Sequence, residues 1–305
     1  MSVMLSEGAS ANSFYGRVAH FAAVTNPLNC LASSVELDAA ADVVRRGSGD
    51  DSAARTLYES AYHPDTGERI PLIGRMCFQA PGCALLAAAM LSCHASLPLT
   101  LGLQWANQSF MAVCNYSNRN AKSDTDDAGV LRAYVGATLG SMGTAWGLKR
   151  CLPRTWSILV PAAAISVASL VNVPCMRSAE LLGGLVVEDG AGVPLEARSR
   201  AAACYAIGAV TCSRILNGCA DLVIAPAIVG ALGARYAWAK SKRPLVTVPL
   251  YTTLCFATLS VSTPITTALA PQRASLPAAW LGSPALCAEI DERRSGARVF
   301  FNKGL

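Results

Sequence analysis

Charged residues are scarce in this chain, where Asp, Glu, Lys and Arg together make up only 15% of the sequence. None occurs from Met76 to Asn118 if His94 is neutral. Similar charge-free stretches lie between Arg132 and Lys149, between Arg154 and Arg177, and between Arg243 and Arg273. Soluble domains contain about 25% charged residues, whereas a membrane-spanning helix needs about 20 apolar residues. The pattern predicts an all-α, polytopic helical membrane protein and excludes an ordinary soluble domain.

Metal-binding and disulfide motifs are missing as well, although the chain contains 12 cysteines. No Cys-x-x-Cys pair occurs, and no histidine stands at ligand spacing from a cysteine. Most of the cysteines lie in apolar runs, where cysteine behaves as a small hydrophobic residue. Neither an acid–base pair nor an activated nucleophile nor a phosphate-binding loop stands out. We therefore expect no catalytic residue, no metal and no cofactor, and we do not expect an enzyme.

Dense basic clusters are rare too, although the formal net charge is +5. Lys240, Lys242 and Arg243 form the one dense group, and basic residues commonly flank membrane helices in this way. We expect membrane lipids as surroundings and no nucleic-acid partner. No basic residue precedes Arg17, and Glu7 lies where a basic region would be needed. The N-terminus therefore predicts neither a secretory signal nor an Arg-rich transit peptide.

Three regions follow from the distribution of charge. Residues 1–79 are mixed in polarity and predict an extramembrane region with two short surface helices, Ser34–Val44 and Asp51–Tyr62, the second capped by Asp50 or Asp51. Residues 80–270 predict the transmembrane helical domain. Residues 271–305 predict a C-terminal tail, with a short helix over residues 285–293. Gly183 to Pro194 predicts an exposed, hairpin-like turn.

About five membrane spans are expected in the transmembrane domain. The run from Met76 to Asn118 is too long for one span, since a single helix of that length would greatly exceed the hydrocarbon thickness of about 30 Å, and Pro98 marks a break. A sixth span results if the helix after Pro98 also crosses fully. The expected spans are Gly82–Leu97 (extending loosely to Leu103), Val130–Leu148, Trp156–Cys175, Ala202–Leu232 and Leu245–Leu269.

A row of amide side chains follows the first expected span. On a helix its members share one face, because they recur at intervals of three and four residues. Such a stripe is costly in lipid, so we expect it to face water or protein. The members are Gln104, Asn107, Gln108, Asn115 and Asn118, with Met111 among them.

Two charged residues interrupt the fourth expected span. Arg214, Asn217 and Asp221 lie at i, i+3 and i+7 and therefore share a helix face. Charges inside a membrane helix are costly and usually functional. For a zwitterionic amino acid, Arg214 suits the carboxylate and Asp221 the ammonium group. The alternative is a structural ion-pair network with other helices.

Asn172 and Thr263 are further candidates for a substrate path. Asn172 lies near the end of the third expected span beside Pro174, which frees a backbone carbonyl one turn earlier. A plain helix end is the alternative. Thr263 belongs to a hydroxyl-rich stretch around Pro264, whose side chains either line a path or bond back to their own helix.

Two other motifs have a structural and a functional interpretation. His63 and Asp65 form a proton relay or a metal pair in one interpretation, or belong with Thr66 to a gate. In the other interpretation, His63 caps a helix end and Asp65 and Thr66 bond within their own turn. Glycines at intervals of three and four residues allow close helix packing in lipid, either within the chain or in a homo-oligomer. These glycines are Gly136, Gly140, Gly143 and Gly147.

Several motifs together resemble the sideroflexin family. They are SFYGRVAHF at Ser13 to Phe21, HPDTGERIPLIGRM at His63 to Met76, WANQSFMAVCNYSNRNA at Trp105 to Ala121, NVPCMRSAEL at Asn172 to Leu181, and VFFNKGL at Val299 to Leu305. The resemblance covers nearly the whole chain, and HPDTGE with NQSF…NYSNRN is highly specific.

The resemblance implies a mitochondrial inner-membrane carrier with five transmembrane helices and no cleaved presequence. It implies small neutral amino acids as substrates, serine foremost, for one-carbon metabolism; tricarboxylates and iron-linked anions are other substrates considered for the family. Two positions depart from the family pattern, since Met111 stands where relatives usually have Asn and Ala95 where they often have Arg. A membrane scaffold that assists complex assembly without transport is therefore the alternative function.

Overall fold

Ten helices and a small sheet make up the structure, a computed structural model that describes residues 13–47, 51–63, 66–118, 127–241, 243–280 and 298–304. The helices are α1 (Phe14–Val24), α2 (Ser34–Arg45), α3 (Ser52–Ala61), α4 (Met76–Ser92), α5 (Leu97–Ser117), α6 (Asp127–Cys151), α7 (Val160–Met176), α8 (Ser178–Gly183), α9 (Arg200–Arg235) and α10 (Pro244–Ala268). The strands are β1 (Leu185–Glu188), β2 (Pro194–Ser199), β3 (Arg273–Pro277) and β4 (Arg298–Asn302). Short 3-10 segments cover Pro27–Leu31, Leu72–Gly74, Arg154–Leu159, Ala237–Lys240 and Ala278–Trp280.

Six long helices, α4, α5, α6, α7, α9 and α10, form the main bundle, and the predicted all-α membrane fold is confirmed in it. Three segments described in the structure are long and apolar enough to cross a membrane: Arg154–Met176, Arg200–Arg235 and Pro244–Ala268. Met76–Ser92 is a shorter apolar helix. A single apolar cluster from α4, α7, α9 and α10 forms the largest core, with Leu91, Leu222 and Cys255 at its centre.

Neighbouring helices in the bundle run antiparallel and pack closely at small residues. A Cβ on Gly136 of α6 would lie 3.1 Å from Val171 of α7. A Cβ on Gly218 of α9 would lie 2.8 Å from Ile165. The glycines thus let two backbones approach where a larger side chain would separate them.

The helix that carries the amide row runs the full height of the bundle. With 21 residues and a rise of 1.5 Å each, α5 approaches the bilayer hydrocarbon thickness of about 30 Å. Its last turn returns to the start of α4, where Asn118 Nδ2 donates to Gly74 O at 2.7 Å. The length of α5 is compatible with the six-span alternative, and the count of five or six spans stays a prediction.

Alternation of six helices places both described ends of the chain on one face of the bundle. Arg17 Nε of α1 donates to Ala268 O at 3.0 Å, and Lys303 Nζ donates to Ala270 O at 3.1 Å. The basic connections 149–154 and 235–243 lie on the opposite face. In a five-span arrangement these connections would share the face of the N-terminus.

The N-terminal region follows its predicted local signals. Ser33 caps α2, with a capping box in which Ser33 N donates to the Glu36 carboxylate at 2.7 Å. That bond holds the pKa of Glu36 below its usual value. Asp51 caps α3 by accepting from the backbone N–H of Ala53 and Ala54, as predicted. Because α4 already begins at Met76, its first turn extends into the predicted extramembrane region.

A four-stranded antiparallel sheet lies beside the start of α9, with the order β2-β1-β4-β3. The hairpin of β1 and β2 agrees with the turn predicted from Gly183 to Pro194. The C-terminal tail contributes strands β3 and β4 to this sheet, so it packs against the rest of the chain. Phe301 and Val187 are buried between the sheet and α9. The short helix predicted for residues 285–293 lies outside the described residues.

Candidate functional site

Two adjoining cavities lie inside the bundle and contain most of the predicted site residues. The end cavity, about 100 Å³, lies near the chain ends. The central cavity, about 80 Å³, lies deeper between α4, α5, α7, α9 and α10. Both cavities are large enough for water molecules and small polar ligands. Residues that line both are Gln79, Met111, Asn115, Arg214 and Asn217.

Arg214 lies at the boundary between the cavities and bonds to an asparagine that is itself held by a second asparagine. Its Nη1 donates to Asn115 Oδ1 at 2.9 Å. Asn115 Nδ2 donates in turn to Asn172 Oδ1 at 3.1 Å. Three helices thus meet in one chain of hydrogen bonds, and a guanidinium suits a ligand with two oxygens because its planar fork can bind both of them.

The central cavity is also lined by an acidic residue, Asp221, which lies at some distance from Arg214. Asp221 is only 3% exposed and lines the central cavity. Arg214 and Asp221 are seven residues apart on α9, about 10 Å along the helix axis. Arg214 Nη1 donates to Asn115, and the separation along the helix axis is too long for an easy direct ion pair with Asp221. The cavity therefore offers a cationic and an anionic end to one ligand.

Amides of α5 line both cavities with one exception. Asn107 and Gln108 line the central cavity, and Asn118 lines the end cavity. Gln104 is fully buried away from both, with Nε2 donating to Met90 Sδ at 3.3 Å and with Oε1 lacking a partner among the described residues. The predicted stripe therefore faces protein and a cavity, but its first member is a packing residue in this structure.

Hydroxyls of α10 complete the end cavity. Thr263 lines it and donates to Asn217 Oδ1 at 3.3 Å. Ser262 donates to the same oxygen at 2.7 Å. Thr266 lines the cavity while its hydroxyl also bonds back to Ser262 O at 2.8 Å. Both alternatives for the hydroxyl-rich stretch are thus realised on one helix.

The HPDTG motif lies outside both cavities. His63 N donates to Glu68 O at 2.8 Å, and Thr66 N donates to His63 Nδ1 at 3.3 Å. Glu68 N donates to Thr66 Oγ1 at 3.3 Å. These bonds are those of a turn that closes on itself, the structural interpretation of the motif. Asp65 lies outside the described residues, and a gate role for the motif stays a prediction.

The four glycines of α6 divide into two pairs. Gly136 and Gly140 pack against Val171 and Val167 of α7. Around Gly143 and Gly147, no described residue beyond the local helix lies within 4 Å of an added Cβ. The first pair therefore serves packing within the chain. A homo-oligomer contact through the second pair stays a prediction.

Gln79 and Lys303 belong to the site but were not predicted from the sequence. Gln79 lines both cavities from the first turns of α4, and an isolated amide in an apolar run was the available signal. Lys303 lines the end cavity and is only 2% exposed. Its place depends on the pairing of β4 with β3, which the sequence motif around it does not indicate.

Comparisons with known proteins agree with this architecture along the whole chain. The family model for sideroflexins matches residues 10–305. Human sideroflexin-3 is 37% identical, with 96% of this chain and 95% of the relative covered. Mouse sideroflexin-2 and sideroflexin-1 are 37% and 36% identical, with 96% of this chain and 94% of each relative covered. No solved structure matches. The chain therefore belongs to the sideroflexin family.

Proposed function

We propose that this protein transports serine or a similar small neutral amino acid across the mitochondrial inner membrane and thereby supplies one-carbon metabolism. The central cavity carries the proposal, since it is lined by Arg214 and Asp221, whose separation along the helix axis is too long for an easy direct ion pair. An α-amino acid has one carboxylate and one ammonium group close together, and it fits between these two ends. Membership of the sideroflexin family supports the compartment and the transport role.

Convergence of polar side chains favours transport over a scaffold function. Nine of the ten predicted path residues line a cavity, which leaves only Gln104 outside. In a scaffold, the polar groups would only need to pair with one another between helices. Asn107, Gln108, Asn217 and Asp221 instead surround a space that a ligand can enter.

One observation favours an anion, such as citrate, as a second candidate substrate. Lys303 joins Arg214 in the lining of the end cavity, so the site contains more inward-facing positive charge than the sequence indicated. A tricarboxylate would need that charge. Asp221 in the adjoining cavity opposes such a ligand and favours the zwitterion.

A competition experiment separates these functions. Purified protein in liposomes should take up labelled serine saturably, and unlabelled serine should compete more strongly than citrate at equal concentration. Stronger competition by citrate would replace the amino-acid proposal with the anion proposal. If correctly folded and inserted protein moves neither compound nor another small amino acid, the transport proposal fails and the scaffold is favoured.

A further inference from the structure

The two cavities differ in their charge. Arg214 and Lys303 both line the end cavity, and no Asp or Glu is among its described lining residues. The central cavity shares Arg214 but adds Asp221. A carboxylate is therefore favoured in the end cavity without an ammonium partner, whereas the central cavity favours a zwitterion.

Lys303 is held in place by two sets of hydrogen bonds. Its Nζ donates to Thr267 O at 3.2 Å and to Ala270 O at 3.1 Å, beyond the last turns of α10. An ammonium group has three N–H donors. The described residues accept two of those of Lys303, so the third is left for a ligand. The main chain is fixed as well, because Arg177 Nη1 donates to Lys303 O at 2.8 Å and Lys303 N donates to Gln272 O at 2.8 Å.

Burial makes this lysine different from a surface charge. Lys303 is 2% exposed, and solvent screens a buried charge less than an exposed one. Carbonyl oxygens at the end of α10 compensate part of its charge. A carboxylate in the cavity would compensate the rest, and it would also satisfy the remaining donor.

We propose that the end cavity is a vestibule subsite in which Lys303 and Arg214 together bind the carboxylate of the incoming substrate. This inference rests on the proposed amino-acid transport and adds a first binding position to it. When the substrate moves from the vestibule into the central cavity, its carboxylate leaves Lys303 but stays beside Arg214. There the ammonium group reaches Asp221.

Asn115 regulates that transfer as a positioning residue. It holds the guanidinium of Arg214 at the boundary through the 2.9 Å bond to Oδ1 and is itself held by Asn172. Because Arg214 lines both cavities, a carboxylate can stay beside the same guanidinium while it passes from one cavity to the other. The substrate therefore need not be released between the two positions.

Propionate and ethylamine are the probes that test the vestibule. Propionate has a carboxylate without an ammonium group, and ethylamine has the reverse. In wild-type liposomes propionate should inhibit serine uptake, and ethylamine should inhibit it much more weakly. Equal inhibition by both probes, or none by propionate, would overturn the proposal.

Substitution of the lysine assigns the inhibition to the vestibule. In Lys303→Met, the propionate inhibition constant and the serine KM should each rise about tenfold, the effect of one lost charge-assisted hydrogen bond, while kcat changes less. Lys303→Arg, which retains the charge, should restore most of the inhibition. If Lys303 has only a structural role, Lys303→Met should have a lower unfolding temperature, and the propionate inhibition constant of its folded fraction should be unchanged.

The outcomes separate this inference from the transport proposal. Absence of serine uptake by wild-type protein contradicts the proposed function. Serine uptake with the same propionate sensitivity in wild type and Lys303→Met contradicts the vestibule alone. If Lys303→Met does not fold, the wild-type comparison of propionate with ethylamine still decides.

Discussion

At the scale of single residues, Lys303 is buried, and its charge depends on pH. Burial, together with the smaller effect of the positive charge of Arg17, lowers its pKa to about 8. Since a lysine is charged only below its pKa, Lys303 is mostly charged at pH 7 and mostly neutral at pH 9. Its attraction for a carboxylate is therefore present below about pH 8 and is lost above it.

Propionate inhibition of serine uptake should weaken several-fold from pH 7 to pH 9. Propionate itself stays ionised over this range, and the guanidinium group of arginine is not deprotonated in proteins. Lys303→Arg should flatten the pH profile. Cys114→Ser should leave it in place, because it removes only the thiol that also lines the cavity. A profile that is flat in the wild type would contradict a titrating lysine in the vestibule.

Asp221 should affect only the ammonium end of the substrate. Asp221→Asn removes the negative charge with little change in shape, so the KM for serine should rise about tenfold. The propionate inhibition constant should stay within about twofold, because propionate has no ammonium group. The serine KM and the propionate inhibition constant should be measured for Asp221→Asn and for Asp42→Asn. The second variant changes an exposed residue of α2 and is the matched control. A parallel loss of propionate inhibition would mean a structural role for Asp221.

At the scale of helices, the close approach of α4 and α5 depends on Gly82. A Cβ there would lie 2.5 Å from Phe110, and Phe110 is buried. Gly82→Val should therefore force the helices apart and cost about 1–3 kcal/mol, which lowers the unfolding temperature by several degrees. Gly143→Val is the matched control, since no described residue beyond the local helix lies within 4 Å of a Cβ at Gly143. Equal unfolding temperatures for the two variants would contradict this helix packing.

Helices were easier to predict from the sequence than the sheet was. The caps of α2 and α3 depend on residues within one turn of each other, such as Ser33 with Glu36, and the amide spacing of α5 is equally local. The position of Lys303 depends on strands β3 and β4, which pair Ser275 with Phe300 across more than 20 intervening residues. A local pattern holds no information about such a pairing, so the second cation of the site was missed.

At the scale of the whole molecule, antiparallel alternation of six helices sets the sidedness. Val35 of α2 is 78% exposed on the face of the chain ends, and Cys151 is exposed at the far end of α6. A membrane-impermeant maleimide should therefore label Val35→Cys and Cys151 from opposite sides of sealed vesicles. Detergent-opened vesicles, in which both cysteines should react, serve as the control. Labelling of both from the same side of sealed vesicles would contradict the six-helix arrangement.

Positive charge on one face also predicts the orientation in the membrane. Lys149 and Arg150 lie in the last turn of α6, Arg154 follows that helix, and Arg235 and Arg243 flank the turn between α9 and α10. Helical membrane proteins have an excess of Lys and Arg in the connections on the cytoplasmic side, to which the matrix corresponds in the inner membrane. In the proposed inner-membrane location, we therefore expect both chain ends and the end cavity to face the intermembrane space.

Uptake of labelled serine into liposomes that contain the purified protein, compared with Arg214→Ala, tests the central claim most directly. Arg214 lines both cavities and is, among their described lining residues, the cation that the two have in common. We expect saturable uptake by the wild type and near-complete loss in Arg214→Ala, with Arg150→Ala on the exposed far face retaining it. Saturable serine uptake that persists unchanged in folded Arg214→Ala would contradict the proposed site.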